Sequence, residues 1–306
     1  MLTEKPWRLE AIIRLLAGML TCVFLGSLLL TIPRFDPATG KSPAAFYSLA
    51  GGAMLLFGST LWLVARPWKL EEFKLRAGLL LICAYGGLAL SGTAQHIAGS
   101  VSQKITLLAM VIGALAFQGA SIPLMWLLVR QHGLGVVEGF GLNTNKRHAL
   151  LLGATVAFAF LPVALGMQYG IGSAAEALKI KLPLQDAVMV LQLTESWPDR
   201  IVFGLVVVVL APVAEEGLFR GILFPGIKAL GYPRVALWVT SVVFALIHFN
   251  TLNLLPLLAL AIVLAKLYER TGNLLSCIAC HATFNLFNFV MLLVNSQISS
   301  GPWAPQ

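Results

Sequence analysis

Charged side chains are scarce in this sequence. Asp, Glu, Lys and Arg make up 11% of its 306 residues, whereas hydrophobic residues make up 58%. A soluble globular domain is about a quarter charged, so the composition excludes an ordinary soluble protein and indicates a protein of the lipid bilayer.

The chain also lacks a block of positive charge and a disulfide framework. Lys and Arg outnumber Asp and Glu by 21 to 13, but the excess is spread between apolar runs. Such spacing orients helices in a membrane and argues against nucleic acid as a partner. The four cysteines all lie inside apolar runs, as small buried hydrophobic residues do: Cys22, Cys83, Cys277 and Cys280.

Long apolar runs are what the sequence has in abundance. A spanning helix needs about 20 mostly apolar residues. Nine runs approach that length, at residues 11–33, 46–65, 75–94, 105–129, 148–170, 201–224, 234–249, 254–268 and 274–295. The seventh and eighth are short and are separated only by residues 250–253. We therefore predict an all-α polytopic membrane helix bundle with eight or nine transmembrane helices.

The distribution of positive charge predicts the orientation of these helices. No small-residue cleavage pattern closes the first run, so we expect an uncleaved first helix. If its N-terminus is cytoplasmic, the outer side holds only Arg34, Lys41, Lys104, Lys179, Lys181 and Arg200. The positive-inside rule then favours a cytoplasmic N-terminus and an external C-terminus in a multi-pass protein, which we expect in the plasma (inner) membrane.

Three regions can be distinguished along the chain. Residues 1–170 carry N-terminal transmembrane helices to which we assign no role. Residues 171–200 are the longest connection, either a connecting loop with some helix or an amphipathic helix that lies on the membrane or covers a site. Residues 201–296 hold the last four apolar runs.

Ionisable side chains inside apolar runs are concentrated in this last region. The sixth run contains Glu215, Glu216 and Arg220, the seventh contains His248 near its end, and the ninth contains His281. A charged residue at the centre of a span costs roughly 2.5–3.5 kcal/mol on insertion scales, so such residues usually mark a functional site.

Helical spacing predicts which of these side chains share a face. Glu216 and Arg220 are four residues apart in the order that favours an ion pair. Glu215 is rotated about 100° from Glu216, which leaves it available for another partner. The same four-residue spacing relates Phe244 to His248 and His281 to Asn285. Pro212, about one turn before the acids, removes a backbone hydrogen bond and favours a local kink.

These residues resemble the motifs of the CAAX protease and bacteriocin-processing family (the CPBP or Abi family). That family has a Glu-Glu-x-x-x-Arg motif, then Phe-x-x-x-His, then His-x-x-x-Asn, each in its own membrane helix. All three occur here in order, and the resemblance covers about residues 200–295. It implies an intramembrane endopeptidase that cleaves a peptide bond near the membrane. The implied substrates are CAAX-type prenylated C-termini or signal-like and bacteriocin-like peptides, with the lipid bilayer as the other partner.

The resemblance also implies a role for each matched residue. Glu215 would activate the attacking water, and His248 would help to hold that water. His281 and Asn285 would stabilise the oxyanion, while Glu216 and Arg220 would form a structural ion pair. The first four side chains should then converge on one polar cavity, with Glu216 pointing away from it toward Arg220.

Whether a metal takes part is open at the level of sequence. Glu215, His248 and His281 would match the ligands of several catalytic zinc sites. The family has been described both as metalloproteases and as metal-independent glutamate peptidases. In the glutamate mechanism Asn285 is an obvious oxyanion donor, whereas its role beside zinc is harder to state. The cofactor is therefore none or a divalent metal such as zinc.

The same residues could also serve three other functions. Cys277, Cys280 and His281 match the Cys-x-x-Cys-His pattern of covalent haem attachment, but that pattern here lies inside a span, so haem is not expected. A non-catalytic membrane scaffold or immunity protein of the same fold is the main alternative function. A proton-relaying transporter is less consistent with the sequence, because it lacks repeated halves with matching broken helices.

Overall fold

A computed structural model of the chain describes residues 5–29, 43–98, 107–142, 145–180, 186–192, 194, 196–248 and 250–300. All regular secondary structure in these ranges is helical. The chain divides into an N-terminal unit, Arg8–His132, and a C-terminal unit formed by Met1–Trp7 and Gly133–Gln306.

The described part of the N-terminal unit contains four long helical stretches. These are α1 (Leu9–Leu29), α2 (Pro43–Ala65), α3 (Phe73–Ala98), and α4 (Leu107–Ala114) continued by the π-helical Leu115–Gly119 into α5 (Ala120–Gln131). Arg14 of α1 is almost fully buried and donates to the carbonyl oxygens of Val64 and Arg66 at 2.9 Å. Its other donors reach Glu10 and Gln131 at 2.8 Å. Carbonyls at helix ends need donors from outside the helix. Arg14 supplies such donors at the end of α2 and also contacts Gln131 at the end of α5.

The C-terminal unit contains the predicted catalytic region. Its helices are α6 (Val136–Gly139), α7 (Lys146–Ala177), α8 (Asp186–Gln192), α9 (Trp197–Leu205), α10 (Ala211–Glu216), α11 (Phe224–Ala229), α12 (Pro233–Leu246), α13 (Leu254–Thr271) and α14 (Leu274–Ser300). Two π-helical segments, Val206–Leu210 and Gly217–Leu223, join α9, α10 and α11 into one helical stretch.

Within the described residues, five helical stretches are long and apolar enough to cross a membrane. They are Leu9–Ser27, Met110–Gln131, Lys146–Ala177, Trp197–Ala229 and Leu274–Val294. Gly51–Ala65 and Pro233–Leu246 are shorter apolar helices. The predicted all-helical class is confirmed, and the helices indicate an integral membrane protein. The expected count of eight or nine spans is not confirmed.

The division at Gly133 differs from the regions drawn on the sequence. The structural division places α7 in the same unit as residues 201–296. Most of α7 belongs to residues 1–170, the region of N-terminal helices to which the sequence assigns no role. The sequence-based regions were divided by expected role, and those roles stay predictions.

The tightest helix contact in the C-terminal unit is between α7 and α14. A methyl group at Gly153 of α7 would overlap the Ser276 carbonyl oxygen and lie 2.8 Å from the Ala279 Cβ. Ala157, one turn further along α7, is fully buried. Small residues let two backbones approach closely in a membrane protein, and here they fix the position of α14.

The long connection at residues 171–200 contains the end of α7, then α8 and the start of α9. Val190 and Leu191 of α8 are buried. Thr194 accepts a hydrogen bond from Arg200 Nε through its carbonyl at 3.1 Å. The described part of this connection is therefore partly helical and is anchored by apolar burial.

Candidate active site

The helical stretch from Trp197 to Ala229 carries the two acids in a short α-helical turn between two wider π-helical segments. Pro212 has no N–H, so the Val208 carbonyl lacks its usual α-helical donor. The first π segment, Val206–Leu210, lies at this point. Glu215 and Glu216 end α10, and the second π segment begins at Gly217. Such π segments are frequent at functional sites.

Glu215 is the residue on which two histidines converge. Its Oε2 atom lies 3.8 Å from His248 Nε2 and 4.0 Å from His281 Nε2. The side chain is buried, and Oε2 has no hydrogen-bond partner among the described residues. These distances are too long for direct hydrogen bonds and are in the range that a shared water bridges.

His248 reaches this position because α12 is short. The 14 residues of Pro233–Leu246 span about 21 Å, against about 30 Å for the hydrocarbon core. The ring Nδ1 lies 2.7 Å from the Phe244 carbonyl oxygen. A carbonyl only accepts, so Nδ1 carries the proton and Nε2 is the atom presented to Glu215.

His281 is held between the two adjacent acids. Its Nδ1 lies 2.9 Å from Glu216 Oε1, while its Nε2 faces Glu215. A carboxylate oxygen accepts, so Nδ1 donates, and Nε2 carries a hydrogen only when the ring is protonated. The ring is about 1% exposed, so this arrangement is fixed by the protein rather than by solvent.

The predicted ion pair between Glu216 and Arg220 is present. Arg220 Nη1 donates to Glu216 Oε1 at 2.8 Å, and both side chains are buried. The expectation that Glu216 points away from the other site residues is wrong, because the same oxygen also contacts His281. The reason is that an imidazole has nitrogens on two edges, so one ring from α14 can meet both acids.

Phe244 is a part of the site to which the sequence analysis assigned no role. Its fully buried ring lies under the Arg220 guanidinium, 4.5 Å from Cζ to the ring centroid. The same ring packs against the rings of His248 at 4.9 Å and His281 at 5.6 Å between centroids. A cation over an aromatic face is attracted to it, and burial strengthens that attraction. The only signal in the sequence was the four-residue spacing to His248.

Asn285 makes its hydrogen bond at a different place. Its Nδ2 donates to the Val207 carbonyl at 2.9 Å, inside the first π segment. The widened helix leaves that carbonyl available, and Asn285 satisfies it. No contact between Asn285 and Glu215 or either histidine is found in the described part of the chain.

The donor types around Glu215 are those of catalytic zinc sites. Two ligands of a tetrahedral zinc ion, each about 2.05 Å away, lie about 3.3 Å apart. The carboxylate–imidazole distances of 3.8 and 4.0 Å exceed that value. Among the described residues, no group of three His, Cys, Asp or Glu side chains is placed to hold a metal ion. In this structure the three side chains therefore lie too far apart to bind one zinc ion together.

The fold and this cluster together define an all-helical membrane protein with a buried carboxylate and imidazole centre. Residues 197–287 match the family described as "Type II CAAX prenyl endopeptidase Rce1-like". The match covers less than a third of the chain and includes all three motifs. It confirms the resemblance to CAAX-type endopeptidases over this segment. No curated protein and no solved structure matches the chain.

Proposed function

We propose that the chain is a CAAX-type intramembrane endopeptidase in which Glu215 activates the attacking water. One observation carries the proposal. Glu215 Oε2 is buried without a hydrogen-bond partner in the described residues, and it faces two imidazole nitrogens at 3.8 and 4.0 Å. Buried acids without a hydrogen-bond partner, beside histidines inside a membrane, usually mark a functional site.

The chemistry follows from the orientation of these atoms. A water between Glu215 Oε2 and His248 Nε2 gives a proton to Glu215 as its oxygen attacks the scissile carbonyl carbon. The electron pair of the carbonyl π bond moves onto the carbonyl oxygen, which becomes an oxyanion. Protonated His281 stabilises this oxyanion through Nε2–H. When the tetrahedral intermediate collapses, Glu215 passes the proton to the departing amine, and the carbon–nitrogen bond breaks.

Glu216 supports these reaction steps without touching the substrate. Its contact with His281 Nδ1 orients the ring and places a negative charge beside the protonated form. Arg220 balances that charge and is itself held by the Ala261 carbonyl at 3.1 Å. Asn285 is the expected second oxyanion donor, and it has one amide hydrogen left beyond the bond to Val207.

A metal-dependent reaction is the alternative chemistry for the same three residues. Glu215, His248 and His281 would hold the ion, which would polarise the scissile carbonyl and its bound water. Treatment of the purified protein with a chelator, followed by addition of zinc, separates the two mechanisms. We expect cleavage to survive chelation; loss restored by zinc would indicate the metalloprotease.

The substrate class is proposed from the family name together with the position of the site. The matching family is named for prenyl endopeptidases that act on CAAX sequences. We propose prenylated C-terminal peptides, or signal-like and bacteriocin-like peptides, presented at the plasma (inner) membrane. A buried site suits a substrate that is anchored in lipid, because the anchor brings the peptide bond to the depth of Glu215.

The decisive experiment compares wild type with Glu215→Gln in reconstituted vesicles. A farnesylated peptide ending in a Cys-a-a-X sequence is added, and mass spectrometry detects the released tripeptide. If no tripeptide appears, peptide profiles of membranes from cells with wild type or Glu215→Ala test the other substrates. Glu176→Gln is the matched control, because it makes the same change at an exposed position of α7.

A non-catalytic scaffold is the outcome that would replace this proposal. Polar contacts connect α14 to the helical stretch that holds both acids, through His281, Glu216 and Arg220. Such contacts would stabilise a non-catalytic scaffold equally well. Peptide profiles that do not differ between wild type and Glu215→Ala would favour the scaffold or immunity function.

A further inference from the structure

A short segment before α1 belongs to the C-terminal unit and is buried within it. Lys5 and Trp7 are only 8% and 6% exposed. Lys5 Nζ donates to the Glu138 carbonyl at 3.3 Å, and Trp7 Nε1 donates to the Gly221 carbonyl at 2.8 Å. Burial lowers the pKa of Lys5, which is in keeping with a lysine packed against protein rather than against water.

The Gly221 carbonyl lacks the donor that a regular α-helix would give it. The residue four positions on is Pro225, which has no N–H to give in an α-helical bond. Gly221 lies within the second π segment, Gly217–Leu223, where the regular ladder is already altered. A buried carbonyl without a donor destabilises the folded state, and the Trp7 indole donates to this one.

The same carbonyl belongs to the backbone that carries Arg220. A Cβ at Gly221 would lie 2.6 Å from the Phe140 ring, so Gly221 is tightly enclosed on its side-chain face as well. Arg220, the preceding residue, donates to Glu216, and Glu216 contacts His281. A shift of the backbone at residues 220–221 would therefore move the ion pair that orients His281.

We propose that Trp7 is a positioning residue for the candidate active site, which it stabilises by donating to the Gly221 carbonyl, whose α-helical donor position is occupied by Pro225. The inference rests on the proposed function for its catalytic consequence, but not for its structural part. The segment before α1 thus acts on the reaction from outside the three motifs, through Gly221, Arg220 and Glu216.

The test removes the donor and then restores one from the backbone. Trp7→Phe keeps an aromatic ring but removes the indole N–H together with part of the ring system, so the restoring variant is needed to isolate the hydrogen bond. Pro225→Ala provides a main-chain N–H four residues after Gly221, which can take over its carbonyl. Trp238→Phe is the matched control, because Trp238 of α12 is 54% exposed.

Hydrogen exchange followed by mass spectrometry gives the structural readout on full-length protein in vesicles. We expect Trp7→Phe to speed exchange in peptides covering residues 217–229 and to leave α7 unchanged. The double variant Trp7→Phe/Pro225→Ala should return exchange toward the wild-type rate. Unchanged exchange in Trp7→Phe, equal loss of protection in every helix, or failure of the double variant to restore protection would overturn the proposal.

Cleavage of the farnesylated peptide gives the catalytic readout. We expect Trp7→Phe to lower kcat about two- to tenfold, the range of one net hydrogen bond, with KM little changed. The double variant should recover most of kcat, and Trp238→Phe should match wild type. Changed exchange without a change in kcat would refute the catalytic part. If wild type cleaves nothing, the proposed function fails while hydrogen exchange still decides whether Trp7 holds the helix.

Discussion

Glu215 and Glu216 are identical in chemistry and adjacent in the chain, yet they meet different partners. Glu215 Oε2 faces the Nε2 atoms of both histidines and has no hydrogen-bond partner among the described residues. Glu216 Oε1 accepts from Arg220 and contacts His281 Nδ1. The turn of about 100° between neighbouring helical residues separates the two sets of partners.

Replacing each acid by glutamine should therefore affect a different property of the protein. Glu215→Gln should abolish cleavage with near-normal protein abundance, because it removes the base but changes little in shape. Glu216→Gln should lower abundance and the thermal midpoint, because Arg220 becomes an uncompensated buried charge, a change that typically costs about 3–5 kcal/mol. Immunoblots of membranes, thermal unfolding in detergent and peptide cleavage measure the three quantities.

A second substitution checks the reason for the loss in Glu216→Gln. Glu216→Gln combined with Arg220→Gln removes both charges, so abundance should recover relative to the single variant. Cleavage should stay low because His281 has lost its carboxylate partner. Wild-type cleavage by Glu215→Gln would show that Glu215 is not the base.

At the scale of elements, α14 carries His281 and is fixed by its close contact with α7. We expect Gly153→Ala to destabilise the protein by about 1–3 kcal/mol, since the new methyl would overlap the Ser276 carbonyl and force the helices apart. Gly166→Ala, on the same helix but with open space around it, is the control and should be neutral or slightly stabilising. Thermal midpoints of the two variants measure the difference, and equal midpoints would contradict the tight contact.

A partly exposed charge cluster links α11 and α13. Hydrogen bonds from Lys228 at 2.6 Å, and then from Lys266 at 2.9 Å, hold the pKa of Glu269 below its ordinary value near 4.5. A lowered pKa contributes stability above the ordinary value, and that contribution is lost as pH falls through the lowered pKa.

Glu269→Gln should then lower the thermal midpoint slightly at neutral pH. The effect is small because exposed pairs are worth about 0–1 kcal/mol. The difference from wild type should disappear when pH is lowered below the ordinary pKa of the carboxyl and through the folded-state value. Thermal unfolding at several pH values tests this, and a difference that grows toward low pH would contradict the assignment.

At the scale of the whole molecule, the orientation in the membrane follows from charge counts between apolar runs. Reporter fusions at the two ends should give opposite signals, with the N-terminus cytoplasmic and the C-terminus external. The same signal at both ends would indicate eight spans instead of nine.

The sequence by itself determined the class of protein and which residues are the candidates for its site. Apolar runs specify helices in a bilayer because every backbone polar group there must be satisfied within its own segment. Four-residue spacing placed Glu216 beside Arg220 because neighbouring turns of one helix bring such residues together. The family resemblance was readable for the same reason, since each motif lies on a single helix.

Only the tertiary structure decided how the motifs meet. His281 joins the two acids through both ring nitrogens, and Phe244 lies beneath Arg220, because separate helices pack at that point. Asn285 donates to the Val207 carbonyl, and Trp7 donates to the Gly221 carbonyl. Both carbonyls lie in π-helical segments, and the spacing of apolar residues along the sequence does not predict such segments. Contacts between residues distant in the chain depend on how helices approach one another, and spacing along one helix carries no information about that approach.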